Sequence, residues 1–233
     1  NAAREPEIAD LQEFLRKAGA LVSGGGESVI TVSGTTPRRD VEHTILPDRI
    51  EAATFLCATA ACGGEVTLTG VEPEHVGTVI QCLRDGGCTV RSAGRTITLL
   101  APQRLGSMPT VRTMPYPGFP TDMHPQFSAL LALSQGMSTV SEGIYSGRFK
   151  YVPELNKMGA HIEVVDNAAL INGVEELHGA EVKATDLRAG ACLVIAALAA
   201  HGVTTISGIE CIERGYENLV EKLKFLGANI KRP

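Results

Sequence analysis

The sequence predicts an α/β (α+β) protein built from repeated βαβαββ-like units. The first observation is a phrase of Leu, three variable residues and Gly that ends four helical patterns, at residues 15–22, 83–90, 155–162 and 223–230. The second is its period of 68, 72 and 68 residues, measured between the glycines Gly19, Gly87, Gly159 and Gly227. A period near 70 is too long for a solenoid and suits a small α/β unit. The phrase predicts a helix end, a glycine in the left-handed cap position and then a strand.

Residues 1–44 are predicted to be the last part of one unit, because they hold the first copy of the phrase with little chain upstream of it. The run Gly24-Gly25-Gly26 predicts a hairpin turn, and it lacks the Lys-Ser/Thr pair of a phosphate-binding loop. Residues 37–40 are predicted to cross from this lobe into a second lobe.

The second lobe, residues 45–233, is predicted to contain three units at about 45–110, 111–175 and 176–233. Each unit has an Asp before an Ala- or Leu-rich helix, and these are Asp48, Asp122 and Asp186. Strand-like segments rich in Val, Ile and Thr follow at 65–69, 138–141 and 203–207. Second helices are predicted at 74–83, 152–155 and 215–223. The three apolar helices are expected to pack around a common axis, because this buries the most apolar area.

The repeated Asp has two interpretations. Asp is a preferred N-cap residue, worth about 0.5–2 kcal/mol, and this role is expected of Asp48. If three equivalent helices begin at one end of a lobe, however, their N-termini converge and favour anions. Asp122, between Thr121 and a helix, would then be placed to take a proton from a substrate hydroxyl. Asp186 is expected to cap its helix at the same entrance.

Three arginines are candidates for anion recognition. Arg148 and Arg214 occupy matching turns, 11 and 13 residues before the glycines of their units, and Arg188 follows Asp186 by two residues. A single Arg is usually a solvated surface residue. Two arginines at one structural position beside helix N-termini predict recognition of phosphate or carboxylate, which a guanidinium binds in bidentate fashion.

Composition argues against several functional classes. The net charge of −5 and the pI near 5.7 provide no broad basic field, so neither nucleic acid nor a membrane is an expected partner. The apolar stretch 189–200 is shorter than the roughly 20 residues that span a bilayer, and the N-terminus has no signal-peptide pattern. A cytoplasmic location is therefore expected.

The cysteines and histidines predict no cofactor or metal. The six cysteines lack C-x-x-C spacing and lie mostly among Ala, Leu and Val, so they are expected to be reduced core side chains. The six histidines are scattered without metal-ligand spacing.

Six segments together resemble the enolpyruvyl transferases, and among them the UDP-N-acetylglucosamine 1-carboxyvinyltransferases. The segments are NAAREPEI (1–8), LPDRIEAATF (46–55), FPTDMHPQF (119–127), RFKYVPELNKMGAHI (148–162), ATDLRAGACLV (184–194) and IERGYENLVEKLKFLGANI (212–230). The resemblance covers essentially the whole chain. It implies a two-lobed protein of six βαβαββ-like units, the inside-out α/β barrel.

The resemblance also implies a reaction. The enolpyruvyl group of phosphoenolpyruvate moves to the 3-hydroxyl of UDP-N-acetylglucosamine through a tetrahedral adduct, and phosphate is released. Asp122 is implied to bind that hydroxyl and accept its proton, and Arg214 to contact the phosphate or carboxylate of phosphoenolpyruvate. This is an early step of peptidoglycan synthesis.

Four further residues are implied to bind the substrates. Ile144 would offer its backbone to the nucleotide sugar, and Arg148 would help to hold the closed state. Asp186 and Arg188 would line the same cleft.

The resemblance places the family's Lys-Asn pair, its reactive-cysteine loop and much of its nucleotide pocket upstream of Asn1. The chain is therefore expected to be about the last half of a longer enzyme, with the rest of the N-terminal lobe as its partner, and to be inactive alone. Two alternatives remain open: a 5-enolpyruvylshikimate-3-phosphate synthase, which FPTDMHPQ and RGYENL fit less well, and a non-catalytic scaffold of the same fold.

Overall fold

The computed structural model describes residues 1–34, 36 and 39–232. The first two residues of the predicted crossing at 37–40 lie outside the described residues. The helices are α1 (Pro6–Lys17), α2 (Arg49–Cys62), α3 (Gly77–Asp85), α4 (His124–Ala132), α5 (Val152–Lys157), α6 (Leu187–Ala199), α7 (Glu210–Glu213) and α8 (Leu219–Phe225). Two 3₁₀ turns lead directly into α3 and α4, and these are Pro73–Val76 and Thr121–Met123.

The strands form four small sheets. They are β1 (Leu21–Ser23), β2 (Thr31–Ser33), β3 (Glu65–Thr69), β4 (Thr89–Ala93), β5 (Thr96–Leu100), β6 (Val111–Arg112), β7 (Met137–Ser141), β8 (His161–Val165), β9 (Ala168–Asn172), β10 (Glu181–Lys183) and β11 (Thr205–Ser207). The sheet orders are β1-β2, β3-β5-β4, β6-β7-β9-β8 and β10-β11. The β6-β7 and β10-β11 pairs are parallel, and the others are antiparallel.

The repeat predicted from the sequence is present in the backbone. The φ angles at the four repeated glycines are 97°, 102°, 92° and 95°, for Gly19, Gly87, Gly159 and Gly227. This left-handed conformation is accessible to Gly without a steric penalty. Each of these glycines follows a helix, as the phrase predicts, and a strand follows the first three.

One unit has the complete predicted element order, and the others are shorter. The order β6-α4-β7-α5-β8-β9 is a full βαβαββ unit. Among the described residues the unit before it has no strand ahead of α2, and the unit after it has none following α8. Residues 1–34 form α1-β1-β2, which is the order that closes a unit. The division into lobes at residue 44 stays a prediction.

The helix predicted at 215–223 is present as α8, but it begins at Leu219, later than predicted. The third unit has the short helix α7, a break, and then α8. Asn218 adopts φ 51°, a left-handed conformation that Asn tolerates better than most residues and that interrupts a helix. Gly215 lies in the break, where a Cβ atom would approach Leu187 Cδ2 to 2.6 Å. The break therefore brings the backbone close to the start of α6.

The core is formed by the three Ala- and Leu-rich helices. α2, α4 and α6 contact one another pairwise, and α4 is buried at every position. A largely apolar helix that is buried on all sides lies in the interior, surrounded by other elements of the protein. Strands such as β5 and β9 alternate between buried and more accessible residues, so each of their sheets has one face against the helices. The helices thus lie inside and the sheets outside.

Candidate active site

Asp122 differs from the two other repeated aspartates in what its carboxylate does. Asp48 caps α2 by accepting from the N–H groups of Ile50 and Glu51. Asp122 lies in the 3₁₀ turn before α4 and makes no side-chain cap. The second residue of α4 is Pro125, which has no N–H, so this helix start has one donor fewer to satisfy. The carboxylate of Asp122 is therefore available for other partners.

Two arginines bind that carboxylate, one at each oxygen. Arg148 Nη1 donates to Asp122 Oδ1 at 2.6 Å, and Arg188 Nη2 donates to Oδ2 at 2.9 Å. Arg148 Nη1 also donates to the carbonyl oxygen of Thr121 at 2.8 Å. The guanidinium of Arg148 lies 4.8 Å from the ring centroid of Tyr145. Asp122 and these arginines come from three separate segments of the chain, and the fold brings them together.

A buried polar network fixes Arg188. Its Nη1 donates to the hydroxyl of Tyr216 at 3.2 Å. Thr54 Oγ1 donates to the carbonyl oxygen of Ile50, so the Tyr216 hydroxyl donates to Thr54 Oγ1, at 2.9 Å. Gln126 Nε2 donates to the Tyr216 hydroxyl at 3.2 Å. Thr54, Gln126 and Arg188 belong to α2, α4 and α6, so the network joins all three central helices at the end where the site lies.

The ion pairs control the charge of the site. Burial raises the pKa of Asp122, but Arg188 and Arg148 outweigh it and hold that pKa below its ordinary value. Burial lowers the pKa of Arg188, whereas Tyr216 and Asp122 raise it, and the net pKa is raised. At neutral pH the Asp122 carboxylate is therefore ionised and the Arg188 guanidinium is charged.

A cavity of about 210 Å³ lies against this carboxylate. Asp122 and Ile144 line it together with Glu5, Arg49 and Tyr116. Ile144 is exposed in the turn that follows β7. The cavity therefore has two carboxylates, Glu5 and Asp122, an aromatic ring and the Arg49 guanidinium, which pairs with Glu7 at 2.8 Å, and this lining suits a polar ligand.

The structure places Asp186 at the start of α6 and Arg214 at an exposed position after α7. The Asp186 carboxylate caps α6, accepting from the N–H groups of Arg188 and Ala189 at 3.0 and 2.9 Å. Arg214 is exposed, and within the described part of the chain it makes no ion pair. In the matching turns of the two units, different side chains therefore reach the site: Arg148 in one unit and Tyr216 in the next. The roles of Asp186 and Arg214 toward substrate stay predictions.

Sequence reasoning missed the residues that support the site. Thr54 and Gln126 are polar residues on helix faces that are otherwise apolar. Because a buried polar side chain needs hydrogen-bond partners, these two positions could have indicated a buried polar network. Glu142 is a buried carboxylate next to the Ile144 turn. Its position at the end of a strand gave no indication of its burial.

The thiols and histidines show no metal-binding arrangement within residues 1–34, 36 and 39–232: no group of three or more His, Cys, Asp or Glu side chains is placed to hold an ion. All six cysteines are free thiols. Burial raises the pKa of Cys82 and of Cys88 to about 11, so both are protonated at neutral pH. In the same described ranges no helix is long and apolar enough to cross a membrane.

Residues 1–223 match the family described as EPSP synthase (3-phosphoshikimate 1-carboxyvinyltransferase). The chain belongs to this family. It is 52% identical over 232 residues to UDP-N-acetylglucosamine 1-carboxyvinyltransferase 1 of Symbiobacterium thermophilum, covering 100% of this chain and 52% of that protein. It is 47% identical to UDP-N-acetylglucosamine 1-carboxyvinyltransferase of Myxococcus xanthus, covering 100% of this chain and 55% of the relative. The chain thus spans about half the length of the curated relatives it matches.

Solved structures of enolpyruvyl transferases share the fold. The enolpyruvyl transferase NikO from Streptomyces tendae superposes with a TM-score of 0.86 at 30% identity, over 97% of this chain and 54% of NikO. EPSP synthase from Acinetobacter baumannii superposes with a TM-score of 0.63 at 18% identity, over 80% of this chain and 43% of that chain, which shows the fold alone. The predicted α/β fold and the resemblance to enolpyruvyl transferases are confirmed.

Proposed function

We propose that this chain is the C-terminal portion of an enolpyruvyl transferase. The full enzyme moves the enolpyruvyl group of phosphoenolpyruvate to the 3-hydroxyl of UDP-N-acetylglucosamine and releases phosphate. This places the protein in peptidoglycan precursor synthesis, in the cytoplasm. The observation that carries the proposal is the Asp122 carboxylate, held between Arg148 and Arg188 at the wall of a polar cavity. The names of the relatives at 47–52% identity support the choice of acceptor.

In this proposal Asp122 binds the acceptor hydroxyl and takes its proton. The hydroxyl oxygen forms a bond to C2 of phosphoenolpyruvate, C3 gains a proton from a general acid, and the tetrahedral adduct results. Because the pKa of Asp122 is lowered, the carboxylate is ionised before substrate binds. It accepts the proton as the hydroxyl becomes acidic during bond formation to C2. The adduct then loses a proton from C3 as the bond between C2 and the phosphate oxygen breaks.

The arginines provide the positive charge that this chemistry needs. Both substrates are anions, and phosphate leaves with an additional negative charge. Preorganised cations stabilise such charge without reorganisation during the reaction. Arg188 is held in place by Tyr216. Arg148 holds the Asp122 turn in the closed state, and Arg214 contacts phosphoenolpyruvate.

Ile144 and Asp186 have binding roles in the proposal. Ile144 offers backbone groups to the nucleotide sugar from the wall of the cavity. Asp186 lines the same cleft while it caps α6. The remaining part of the nucleotide pocket is supplied by the other half of the enzyme, and the isolated chain is therefore expected to be inactive.

Two other functions compete with this proposal. A 5-enolpyruvylshikimate-3-phosphate synthase would use the same fold with a different acceptor. A scaffold without activity would keep the fold only. The identity of 47–52% to relatives named as transferases favours an enzyme over a scaffold.

The test is phosphate release by the full-length product of the encoding gene. Phosphoenolpyruvate is supplied with UDP-N-acetylglucosamine in one reaction and with shikimate-3-phosphate in another. Release with the nucleotide sugar alone is expected. Release with shikimate-3-phosphate alone would establish the other acceptor, and release with neither would favour the scaffold. Turnover by the purified 233-residue chain would contradict the need for a second half.

A further inference from the structure

We propose that Glu142 is a positioning residue that fixes, with one carboxylate, both the Ile144 backbone and the turn bearing Asp122. The inference rests on the proposed function, since Ile144 and Asp122 are the groups assigned to the nucleotide sugar. Glu142 is 3% exposed, and it accepts hydrogen bonds from four donors in three separate segments. Glu142 itself does not line the cavity.

One oxygen of Glu142 organises the turn after β7. Oε1 accepts from the N–H groups of Ile144 at 2.7 Å and Tyr145 at 3.0 Å. It also accepts from Thr113 Oγ1 at 2.7 Å, and Thr113 Oγ1 in turn accepts from the N–H of Gly143 at 2.8 Å. The side chains of Ile144 and Tyr145 are exposed. The turn is therefore held through backbone N–H groups that face Glu142, so the carbonyl of Ile144 is the backbone group left for the ligand.

The other oxygen reaches the Asp122 turn. Oε2 accepts from Thr121 Oγ1 at 2.8 Å. Thr121 is adjacent to Asp122, and its carbonyl oxygen accepts from Arg148. A displacement of Glu142 would thus shift the Ile144 backbone and the Asp122 carboxylate together.

A carboxylate suits this position better than an amide. It can accept from all four donors at once, and hydrogen bonds to an ionised acceptor are stronger than those to a neutral one. Burial raises the pKa of Glu142, but the hydrogen bonds from Thr113, Tyr145, Ile144 and Thr121 lower it below its ordinary value. Close by, His124 Nδ1 lies 3.5 Å from Oε2. Burial lowers the pKa of His124 to about 4, so the imidazole is neutral at pH 7.

The first test measures amide hydrogen exchange in this chain and does not depend on the proposed function. Glu142→Ala is expected to speed exchange at Ile144 and Tyr145 by about tenfold or more, because both amides lose an ionised acceptor. Glu142→Gln retains a carbonyl oxygen for them and is expected to show a smaller change. Glu154→Gln is the matched control, since that carboxylate accepts from Lys157 and from the N–H of Lys183, away from the site. Unchanged exchange in Glu142→Ala would overturn the inference.

The second test measures steady-state kinetics of the full-length product. Glu142→Ala is expected to raise KM for UDP-N-acetylglucosamine by about tenfold, because the Ile144 contact is made before and during the reaction. Thr121→Val removes only the Oε2 contact and is expected to lower kcat more than it raises KM. A loss of stability alone would not separate the two parameters in this way.

The outcomes of the two tests separate this inference from the proposed function. KM and kcat equal to those of Glu154→Gln would overturn the positioning role. If the unmodified protein released no phosphate, the proposed function would fall, and the exchange measurement would still decide whether Glu142 fixes the turn.

Discussion

Substitution of Tyr216 by Phe removes one hydroxyl from the network that holds Arg188. Tyr216 is 2% exposed, and burial raises the pKa of its hydroxyl, so it is protonated at neutral pH. The hydroxyl donates to Thr54 Oγ1 and accepts from Arg188 and Gln126. The substitution Tyr216→Phe keeps the ring in the core and deletes these three hydrogen bonds.

The structure sets the size of the effect. A neutral hydrogen bond contributes about 0.5–1.5 kcal/mol, and one with a charged partner about 1.5–3 kcal/mol. The loss of stability is smaller than the sum of the three hydrogen-bond energies, because the partners keep other contacts. Arg188 retains Asp122, and Gln126 retains Thr54 Oγ1 at 3.4 Å. We therefore expect the free energy of unfolding to fall by about 1–3 kcal/mol.

Urea unfolding of the chain, with the free energy extrapolated to water, measures this loss. Tyr145→Phe is the control: Tyr145 is 58% exposed, and its hydroxyl has no hydrogen bond among the described residues. A change within about 0.5 kcal/mol is expected there. A double-mutant cycle of Tyr216→Phe with Thr54→Val should give a coupling energy above about 0.5 kcal/mol. If Tyr216→Phe were no more destabilising than Tyr145→Phe, the network would not hold the helices together.

Two further predictions concern packing and pH. Gly190→Ala should destabilise the chain by about 1–3 kcal/mol in urea unfolding, because its Cβ would collide with the side chain of Ile212. Gly77→Ala, with open space at its Cβ, should not destabilise the chain. Equal effects of the two substitutions would contradict the packing. The free energy of unfolding should also fall as pH drops from about 6.5 toward 4.5, because the unfolded chain binds a proton that His124, with its pKa lowered to about 4, does not. Urea unfolding across this range should show a smaller pH dependence in His124→Gln, and an unchanged dependence would exclude His124 as its source.

The repeat could be predicted from the sequence because it depends on local signals. A glycine at a helix end and a β-branched residue after it act within a few residues, and the φ angles of Gly87 and Gly159 match that expectation. The break before α8 could not be predicted in the same way. It depends on the left-handed Asn218 and on the close approach of Gly215 to Leu187, which is a tertiary contact.

The site was predictable in its residues but not in its connections. Asp122, Arg148 and Arg188 were candidates from the sequence, and the structure joins them by direct ion pairs. The contacts among Thr54, Gln126 and Tyr216 link positions that are 72, 90 and 162 residues apart. No periodicity relates such positions, so only the packing of the three helices reveals them.

The most direct test of the account is kcat for phosphate release by the full-length product carrying Asp122→Asn, with phosphoenolpyruvate and UDP-N-acetylglucosamine. Asp166→Asn is the control, since Asp166 is an exposed turn residue at φ 52°, a conformation that Asn adopts readily. We predict that Asp122→Asn lowers kcat by about 10²-fold or more, as expected when a general base is lost, and that Asp166→Asn leaves it unchanged. A kcat for Asp122→Asn close to that of the control would contradict the assignment of Asp122 as the proton acceptor.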